Sequence, residues 1–327
     1  MKAWTVASQG EPRDVMAMAA IAEPQALAGQ LLVRVRAVAL GFPDVLLCRG
    51  TYQSLVAAPF TPGVELCGEV VALGPGVLDF AVGDRAIGTS ALPRGALAEY
   101  ALMHSSEAYR APGSLDDDAA AALHTAYQTA WFGLHRRAGL RAGDSLLVLA
   151  AAGGIGSAAV QLGRAAGATV IGVVGGRAKV AVAERLGADV VIDRLTQDFV
   201  SAVKEVTQGR GADVVFDPVG GEACLRAMKC VAFEGRIVLA GFASGAAAAT
   251  ALNRVLVRNY SILGLHLGRY REHLPGALRE AHAELTALAD TGTVAPLVGG
   301  RLRLDEAAAG LARLAAGETV GRLVVIP

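Results

Sequence analysis

The chain has 327 residues, which is more than one ordinary hydrophobic core holds, and this predicts two domains. Its 30 Lys and Arg balance its 30 Asp and Glu, so there is no basic excess that would favour nucleic-acid binding. No apolar run is long enough to cross a bilayer, and the first residues have the pattern of a strand rather than of a signal peptide. Four cysteines without a CxxC pair indicate a reduced, cytoplasmic protein that lacks a disulfide framework.

The first 122 residues show short strand patterns separated by glycine and proline. Strands are predicted at 31–38, at 69–73, from 82 to 87, and from Gly95 to Met103. This pattern is typical of a β-rich, barrel-like domain. Asp116–Asp118 and the alanine-rich stretch after them predict a helix N-terminus, because acids there interact favourably with the helix dipole.

The middle of the chain begins with Ser145–Leu149, which predicts a strand buried on both faces. Gly153, Gly154 and Gly156 follow it and predict a turn at a helix N-terminus, where backbone N–H groups can hold a phosphate. The spacing Ala-x-x-Gly-x-x-Gly is weak evidence by itself, because an ordinary strand-to-helix turn would explain it equally well.

The regular order of the following elements favours the phosphate-binding interpretation. Further strands are predicted at 169–174, 190–192, 213–217, 236–240 and 261–265, with helices at 177–186, 198–206 and 222–231. Strands that alternate with helices in this way predict a doubly wound parallel sheet that binds a dinucleotide. A helix at 275–290 and a closing strand at 322–326, which we expect to return to the first domain, complete the chain.

Short motifs along the whole chain resemble those of medium-chain dehydrogenases/reductases, in the zinc-independent quinone oxidoreductase (zeta-crystallin-like) branch. The resemblance is carried by Gly41–Asp44, Arg49–Tyr52, Pro62–Glu65, Ala150–Gly156, Leu186–Ala188, Asp217–Gly220 and Gly321–Val325. It implies an α/β fold, with a Rossmann doubly wound parallel sheet plus a GroES-like β-barrel catalytic domain and a nicotinamide in the cleft. The implied domains are the N-terminal part of the catalytic domain at 1–122, the NADP-binding Rossmann domain at 123–265, and the return to the catalytic domain at 266–327.

No metal site is predicted. Zinc-dependent relatives have a histidine where this chain has Val64, and they carry four closely spaced cysteines that are absent here. Tetrahedral zinc needs thiolate or imidazole donors that converge on one point. Cys48 and Cys67 are better interpreted as small buried apolar side chains than as ligands.

The predicted cofactor is NADPH. An NAD site places an acid at the end of the second strand, where this chain has Val174. Arg177, Lys179 and Arg194 instead supply cations for a 2′-phosphate. The resemblance implies that Lys179 binds that phosphate, with Arg194 in the place of a family tyrosine. The alternative is that all three cations are solvated surface charges.

The remaining site residues follow from the resemblance. It implies Tyr52 as the proton donor or polar contact and places Asp44 near the active site, although Tyr52 packing at a rim and Asp44 holding a loop would explain them as well. Gly41 stands where the family has asparagine, so a hydrogen-bonding side chain is missing there. The predicted cofactor-binding residues are Thr129, Ala152, Gly153, Gly154, Ile155, Gly156, Gly175, Arg177, Lys179, Arg194, Gly241, Phe242, Ser244, Leu265 and His266.

The leading functional hypothesis is reduction of a quinone. Without a metal ion in the enzyme to stabilise the developing negative charge, the acceptor itself must delocalise the electrons of the hydride, as a quinone does. The second hypothesis is reduction of an α,β-unsaturated ketone, aldehyde or enoyl thioester. The third is an NADPH-binding structural or regulatory protein with vestigial catalysis. A homodimer is expected through the edge of the nucleotide sheet, near the predicted strands 236–240 and 261–265.

Overall fold

The computed structural model describes residues 1–327, which divide into two compact units. The first unit combines residues 1–125 with residues 286–327, and the second contains residues 126–285. Each unit has its own apolar core. The functional domain boundaries near 122 and 265 stay a prediction, because compactness alone does not define them.

In chain order, the strands are β1 (Lys2–Val6), β2 (Met16–Ala20), β3 (Gln30–Ala39), β4 (Glu65–Leu73), β5 (Arg85–Ser90), β6 (Tyr100–Arg110), β7 (Ser145–Leu149), β8 (Thr169–Val174), β9 (Val190–Asp193), β10 (Ala212–Asp217), β11 (Val231–Leu239), β12 (Ser261–Gly264), β13 (Val298–Arg303) and β14 (Arg322–Ile326). The helices are α1 (Pro12–Val15), α2 (Phe42–Arg49), α3 (Asp117–Trp131), α4 (Gly154–Ala165), α5 (Arg177–Arg185), α6 (Phe199–Val206), α7 (Gly221–Ala227), α8 (Asn253–Arg258), α9 (Leu267–His273), α10 (Pro275–Asp290) and α11 (Ala307–Ala315). Phe132–Arg137 continues α3 as a π-helical segment, and Leu304–Glu306 forms a short 3₁₀ turn before α11.

The first unit is built on a sheet with the strand order β13-β14-β3-β4-β5-β6. Its last strand, β6, also pairs with β3, so the four strands from β3 to β6 return on themselves. The closing strand β14 pairs antiparallel with β3, as expected from its apolar sequence. Along β3, Val33 and Val35 lie in the core while Arg34 and Arg36 are exposed, which confirms the predicted half-buried strand.

The second unit is built on a six-stranded sheet with the order β12-β11-β10-β7-β8-β9, and every neighbouring pair is parallel. This topology confirms the predicted doubly wound sheet. All five residues of β7 are buried, as expected for a central strand covered on both faces. Because the strands are parallel, the loops after their carboxyl ends share one edge of the sheet, where α/β folds bind ligands.

Two element predictions were wrong. Residues 95–99 do not continue a strand, because Gly95 and Leu97 donate backbone hydrogen bonds to Thr61 and Pro62, and the strand β6 begins only at Tyr100. The helix expected at 222–231 ends at Ala227, and β11 begins at Val231 rather than at 236. Glu234 has a left-handed φ of 56°, and the register of β11 against β10 shifts in this section. Because of this irregularity, the first part of β11 does not show the regular strand pattern in the sequence.

None of the helices combines the length and the apolar composition that a bilayer crossing requires.

Candidate functional site

The turn after β7 has the geometry of an anion site. Helix α4 begins at Gly154, inside the glycine turn. Its first internal bond runs from Ser157 N–H to the Gly153 carbonyl, so the N–H groups of Gly154, Ile155 and Gly156 donate to no protein atom. A Cβ at Gly156 would lie 2.1 Å from the Ala150 carbonyl oxygen, so only glycine allows this tight turn. The residues therefore fit the pyrophosphate of a dinucleotide.

Cations follow the next strand, β8. Lys179 lies in the first turn of α5, and its pKa is lowered by burial and by the neighbouring Arg194. A Cβ at Gly175 would lie 3.1 Å from Nη2 of Arg194, so the guanidinium lies directly against this glycine. Two like charges held close together oppose each other, and a bound anion would relieve that repulsion. Arg177 begins the same helix and is exposed.

An acid that the sequence analysis missed lies beside these cations. Asp193 ends β9 and pairs in register with Val174, the position where an NAD site would carry its acid. The carboxylate of Asp193 accepts hydrogen bonds from the N–H groups of Gly176 (2.8 Å) and Leu195 (3.0 Å), which lower its pKa. Gly176 has a φ of 101°. Asp193 therefore fixes the loops that carry Gly175 and Arg194.

The loops after β10 and β11 are joined to each other. Asp217, at the end of β10, accepts from Val219 and Gly220 N–H at 2.8 and 2.9 Å. Ser244 N–H donates to the Val219 carbonyl at 3.0 Å. A Cβ at Gly220 would lie 2.6 Å from the Phe242 ring, so glycine permits this close approach.

The remaining predicted cofactor residues also belong to the second unit. Leu265 follows β12 and donates its N–H to the Leu239 carbonyl at 3.1 Å, and the half-buried His266 precedes α9. Gly241 lies after β11, and Thr129 is buried in α3. The parallel topology thus brings every predicted cofactor residue except Thr129 to the carboxyl ends of the strands, in the loops and first helical turns that follow them.

The predicted catalytic residues belong to the first unit. Asp44 is completely buried in α2, and its carboxylate accepts from the N–H groups of Gly41, Gly63 and Val64, each at 2.9 Å. Burial raises the pKa of Asp44, while these three hydrogen bonds and the charge of Arg322 act in the opposite direction. These contacts join two separate segments of chain. Participation of Asp44 in the chemistry stays a prediction.

A buried ion pair that the sequence analysis did not assign lies next to Asp44. Arg322, in β14, pairs with Glu65 in β4 and donates to the Ala39 carbonyl at 3.1 Å. Glu65 also accepts from Thr125 N–H at 2.6 Å, and burial raises its pKa against the opposing effect of Arg322. Both residues lie inside short motifs that carried the family resemblance. The signal in the sequence that could have indicated this ion pair is a charged residue within an otherwise apolar strand.

Tyr52 and Gly41 lie on either side of the Asp44 helix in the sequence. The half-buried ring of Tyr52 packs against the core of the first unit, in the loop after α2. Gly41 is buried, and a Cβ there would lie 3.7 Å from Nη2 of Arg322. The side chain that is missing at this position would thus have stood beside the Asp44–Arg322 group.

The structure contains no group of three or more His, Cys, Asp or Glu side chains arranged to hold a metal ion. All four cysteines are buried free thiols. Burial raises the pKa of each thiol to about 12, so all four are neutral at physiological pH. Val64 is partly buried and packs against the core of the first unit.

Two family models match separate parts of the chain. The alcohol dehydrogenase GroES-like domain matches residues 27–113, and the model described as zinc-binding dehydrogenase matches residues 154–283. A GroES-like unit together with a parallel nucleotide-type sheet defines an oxidoreductase of the medium-chain dehydrogenase/reductase class. The chain belongs, more narrowly, to the quinone oxidoreductase-like family within that class.

Individual relatives support this assignment. A quinone oxidoreductase-like protein 2 homolog from Nematostella vectensis is 35% identical over 90% of this chain and 81% of its own length. The quinone oxidoreductase of Escherichia coli, solved in complex with NADPH, is 27% identical with a TM-score of 0.92, covering all of both chains. A mycocerosic acid synthase-like polyketide synthase of Mycobacterium tuberculosis is 33% identical over 91% of this chain. That match covers only 14% of the synthase.

Proposed function

We propose that the protein is an NADPH-dependent oxidoreductase that transfers a hydride to a quinone without zinc. The observation that carries the choice of cofactor is the pair Lys179 and Arg194 at the carboxyl edge of the sheet, beside a valine where an NAD site has an acid. The NADPH complex of the E. coli quinone oxidoreductase supports the same choice. Four neutral, unpaired cysteines fit a reducing cytoplasm.

When bound at this site, NADPH would supply a hydride, which carries two electrons. A quinone that accepts the hydride and one proton becomes a hydroquinone, so no further reductant is required. The chain's own part is to hold the pyrophosphate on the N–H groups of Gly154, Ile155 and Gly156 and the 2′-phosphate on Lys179 and Arg194. Binding and orientation of this kind account for much of the catalysis in cofactor enzymes.

A substrate panel tests the choice of acceptor. NADPH oxidation would be measured with the purified protein against quinones, α,β-unsaturated ketones and aldehydes, and enoyl thioesters. We expect the highest kcat/KM with a quinone, in agreement with the quinone oxidoreductase-like relatives. Turnover of enones or thioesters without turnover of quinones would contradict the leading proposal.

The second candidate function is reduction of an enoyl thioester or another activated alkene. The similarity of nearly the whole chain to one part of a polyketide synthase favours it. The same panel separates the two candidates. NADPH binding without turnover of any acceptor would instead support the structural or regulatory alternative.

Tyr52 is proposed to donate a proton or a hydrogen bond to the acceptor. An enone needs a proton on carbon or oxygen as the hydride arrives, whereas the reduced form of a quinone can take its proton from solvent. Tyr52→Phe should therefore lower kcat for an enone by roughly 100-fold, at the lower end of general acid contributions, and leave quinone turnover unchanged. Neutral behaviour with both acceptors would indicate a packing role, and an equal loss on both would indicate a misplaced substrate or cofactor. Either result would rule out the acid role.

Activity should survive exhaustive chelation, because Val64 cannot ligate zinc and no cluster of donor side chains replaces the histidine. The measurement compares NADPH oxidation before and after dialysis against EDTA, together with elemental analysis of the purified protein. Stoichiometric zinc, or loss of activity that added zinc restores, would contradict this expectation.

We also propose a homodimer that forms through the edge of the nucleotide sheet. Strand β12 is one of the two edge strands of this sheet, whereas β11 is paired on both sides. Leu252, Leu256 and Val257, which precede this strand, have 77, 76 and 73% of their surface exposed. An unpaired edge beside exposed apolar side chains is an aggregation hazard that pairing across a two-fold axis removes. Light scattering at micromolar concentration should give a dimer mass, and a monomer mass would refute the proposal.

A further inference from the structure

A positively charged cavity lies in the nucleotide-type unit, away from the loops described above. Its volume is about 430 Å³, and it opens between the end of α7, helix α8 and the start of β12. Lys229 stands shortly before β11, and Tyr260 immediately before β12. The cavity therefore lies at the amino ends of these parallel strands, at the opposite edge of the sheet from the glycine turn.

The charge of this cavity is positive. Lys229, Arg254 and Arg258 line it, and the lining contains no acidic side chain. Arg258 donates to the backbone carbonyl of Lys229 at 3.3 Å, which holds α8 near the end of α7. None of the three cations forms an ion pair within the protein. Three unneutralised cations around one concave surface make a favourable place for a multivalent anion.

A buried tyrosine belongs to the same wall. Tyr260 lines the cavity with only 4% of its surface exposed, and its hydroxyl oxygen makes no hydrogen bond. Burial raises the pKa of Tyr260, while the positive charges of Arg258 and Arg254 both act to lower it. A buried polar group that lacks a partner in the protein indicates a missing water or ligand.

We propose that this cavity binds the phosphate group of a small organic phosphate. The two guanidinium groups and the Lys229 ammonium hold the phosphate oxygens, because charge-assisted bonds from arginine match phosphate geometry. Met228 and Val257 supply apolar surface for the organic part of the ligand. The homodimer proposed above pairs the edge of β12 and shares the exposed Val257 side chain with this cavity, but the argument for it uses none of the three cations.

Inorganic pyrophosphate is the probe, titrated calorimetrically into the full-length protein at constant ionic strength. The variant Arg254→Gln/Arg258→Gln should weaken binding at this cavity by about 100-fold, since each lost charge-assisted bond contributes on the order of tenfold. The variant Lys179→Gln/Arg194→Gln is the matched control, because it also removes two cations, but from the carboxyl ends of the strands. It should leave the cavity's binding event intact.

Three results would overturn the proposal. Loss of all pyrophosphate binding in Lys179→Gln/Arg194→Gln would show that the probe binds only at the glycine-turn edge. Equal weakening by Arg313→Gln, which removes one exposed arginine from the first unit, would show that the response follows net charge rather than this cavity. Pyrophosphate binding that is unchanged in Arg254→Gln/Arg258→Gln would show that this cavity does not bind the probe. Circular dichroism of each variant verifies that the fold is unchanged.

Discussion

Replacement of Arg322 by methionine should destabilise the protein by about 3–5 kcal/mol, the cost of leaving a buried charge without its partner. Arg322 and Glu65 are 7 and 2% exposed, so water cannot take over the role of the missing guanidinium. Asp44 lies in the same buried group and adds a second negative charge that Arg322 opposes. The measurement is the change in the free energy of unfolding from denaturant titrations.

The pH dependence of this defect follows from the pKa of Glu65. Burial already raises that pKa, and Arg322 acts against the rise, so the variant should have a still higher value. The folded variant then keeps a proton that the unfolded chain releases above its ordinary pKa of about 4.3. Because the folded state binds more protons, stability falls as pH increases above that value, by at most about 1.4 kcal/mol per pH unit for one group. The defect should therefore be larger at pH 8 than at pH 5.

Two controls separate this explanation from a simple loss of packing. Arg301→Met removes a surface ion pair with Asp118 in the same unit, and Arg301 is 60% exposed. Its effect should stay within about 1 kcal/mol. The double variant Glu65→Gln/Arg322→Met removes both charges and should recover at least half of the loss, because a buried pair can often be replaced as a whole. If the double variant is as unstable as Arg322→Met, the uncompensated charge is not the cause.

The nucleotide-type unit could be predicted well because its signals are local. Each strand is a short apolar run, each helix follows a turn, and the parallel topology then gives the ligand-binding edge without further information. The glycine turn needed only the residues 153–156. The strand predicted at 236–240 begins earlier, at Val231, and this first part of β11 was missed because a left-handed residue, Glu234, interrupts the pattern.

The first unit was less predictable because its site is assembled from segments far apart in the chain. Asp44 holds the N–H groups of Gly63 and Val64, some 20 residues away, and Glu65 meets Arg322 across 257 residues. A sequence shows which residues carry charge, but it does not show that two charged residues in different strands share a buried position. Asp193 illustrates the same limit, since only the register of β8 and β9 places it beside Val174.

The second large effect concerns the choice between NADPH and NADH. Lys179→Met should weaken NADPH binding by about 1–3 kcal/mol, the value of a hydrogen bond to a charged group. Adding Arg194→Met should bring the total loss to roughly 100-fold or more in Kd, because the proposal assigns both cations to the same 2′-phosphate. NADH lacks the 2′-phosphate, so its Kd should change by less than about twofold in either variant.

This contrast depends on Asp193 as well as on the cations. Asp193 is held by the N–H groups of Gly176 and Leu195, so it fixes the loop on which Arg194 stands. Asp193→Asn keeps the size of the side chain, and because both hydrogen bonds go to Oδ1, its amide oxygen can still accept them. It should therefore cost less NADPH affinity than the loss of either cation. Kd values for both cofactors would be measured by fluorescence titration of the native protein and the three variants, at one ionic strength. Similar Kd values for NADPH and NADH in the native protein would refute the assignment of NADPH. An equal loss of affinity for NADPH and NADH in Lys179→Met would show instead that the lysine supports the fold of the turn. Another residue would then have to account for any preference for NADPH.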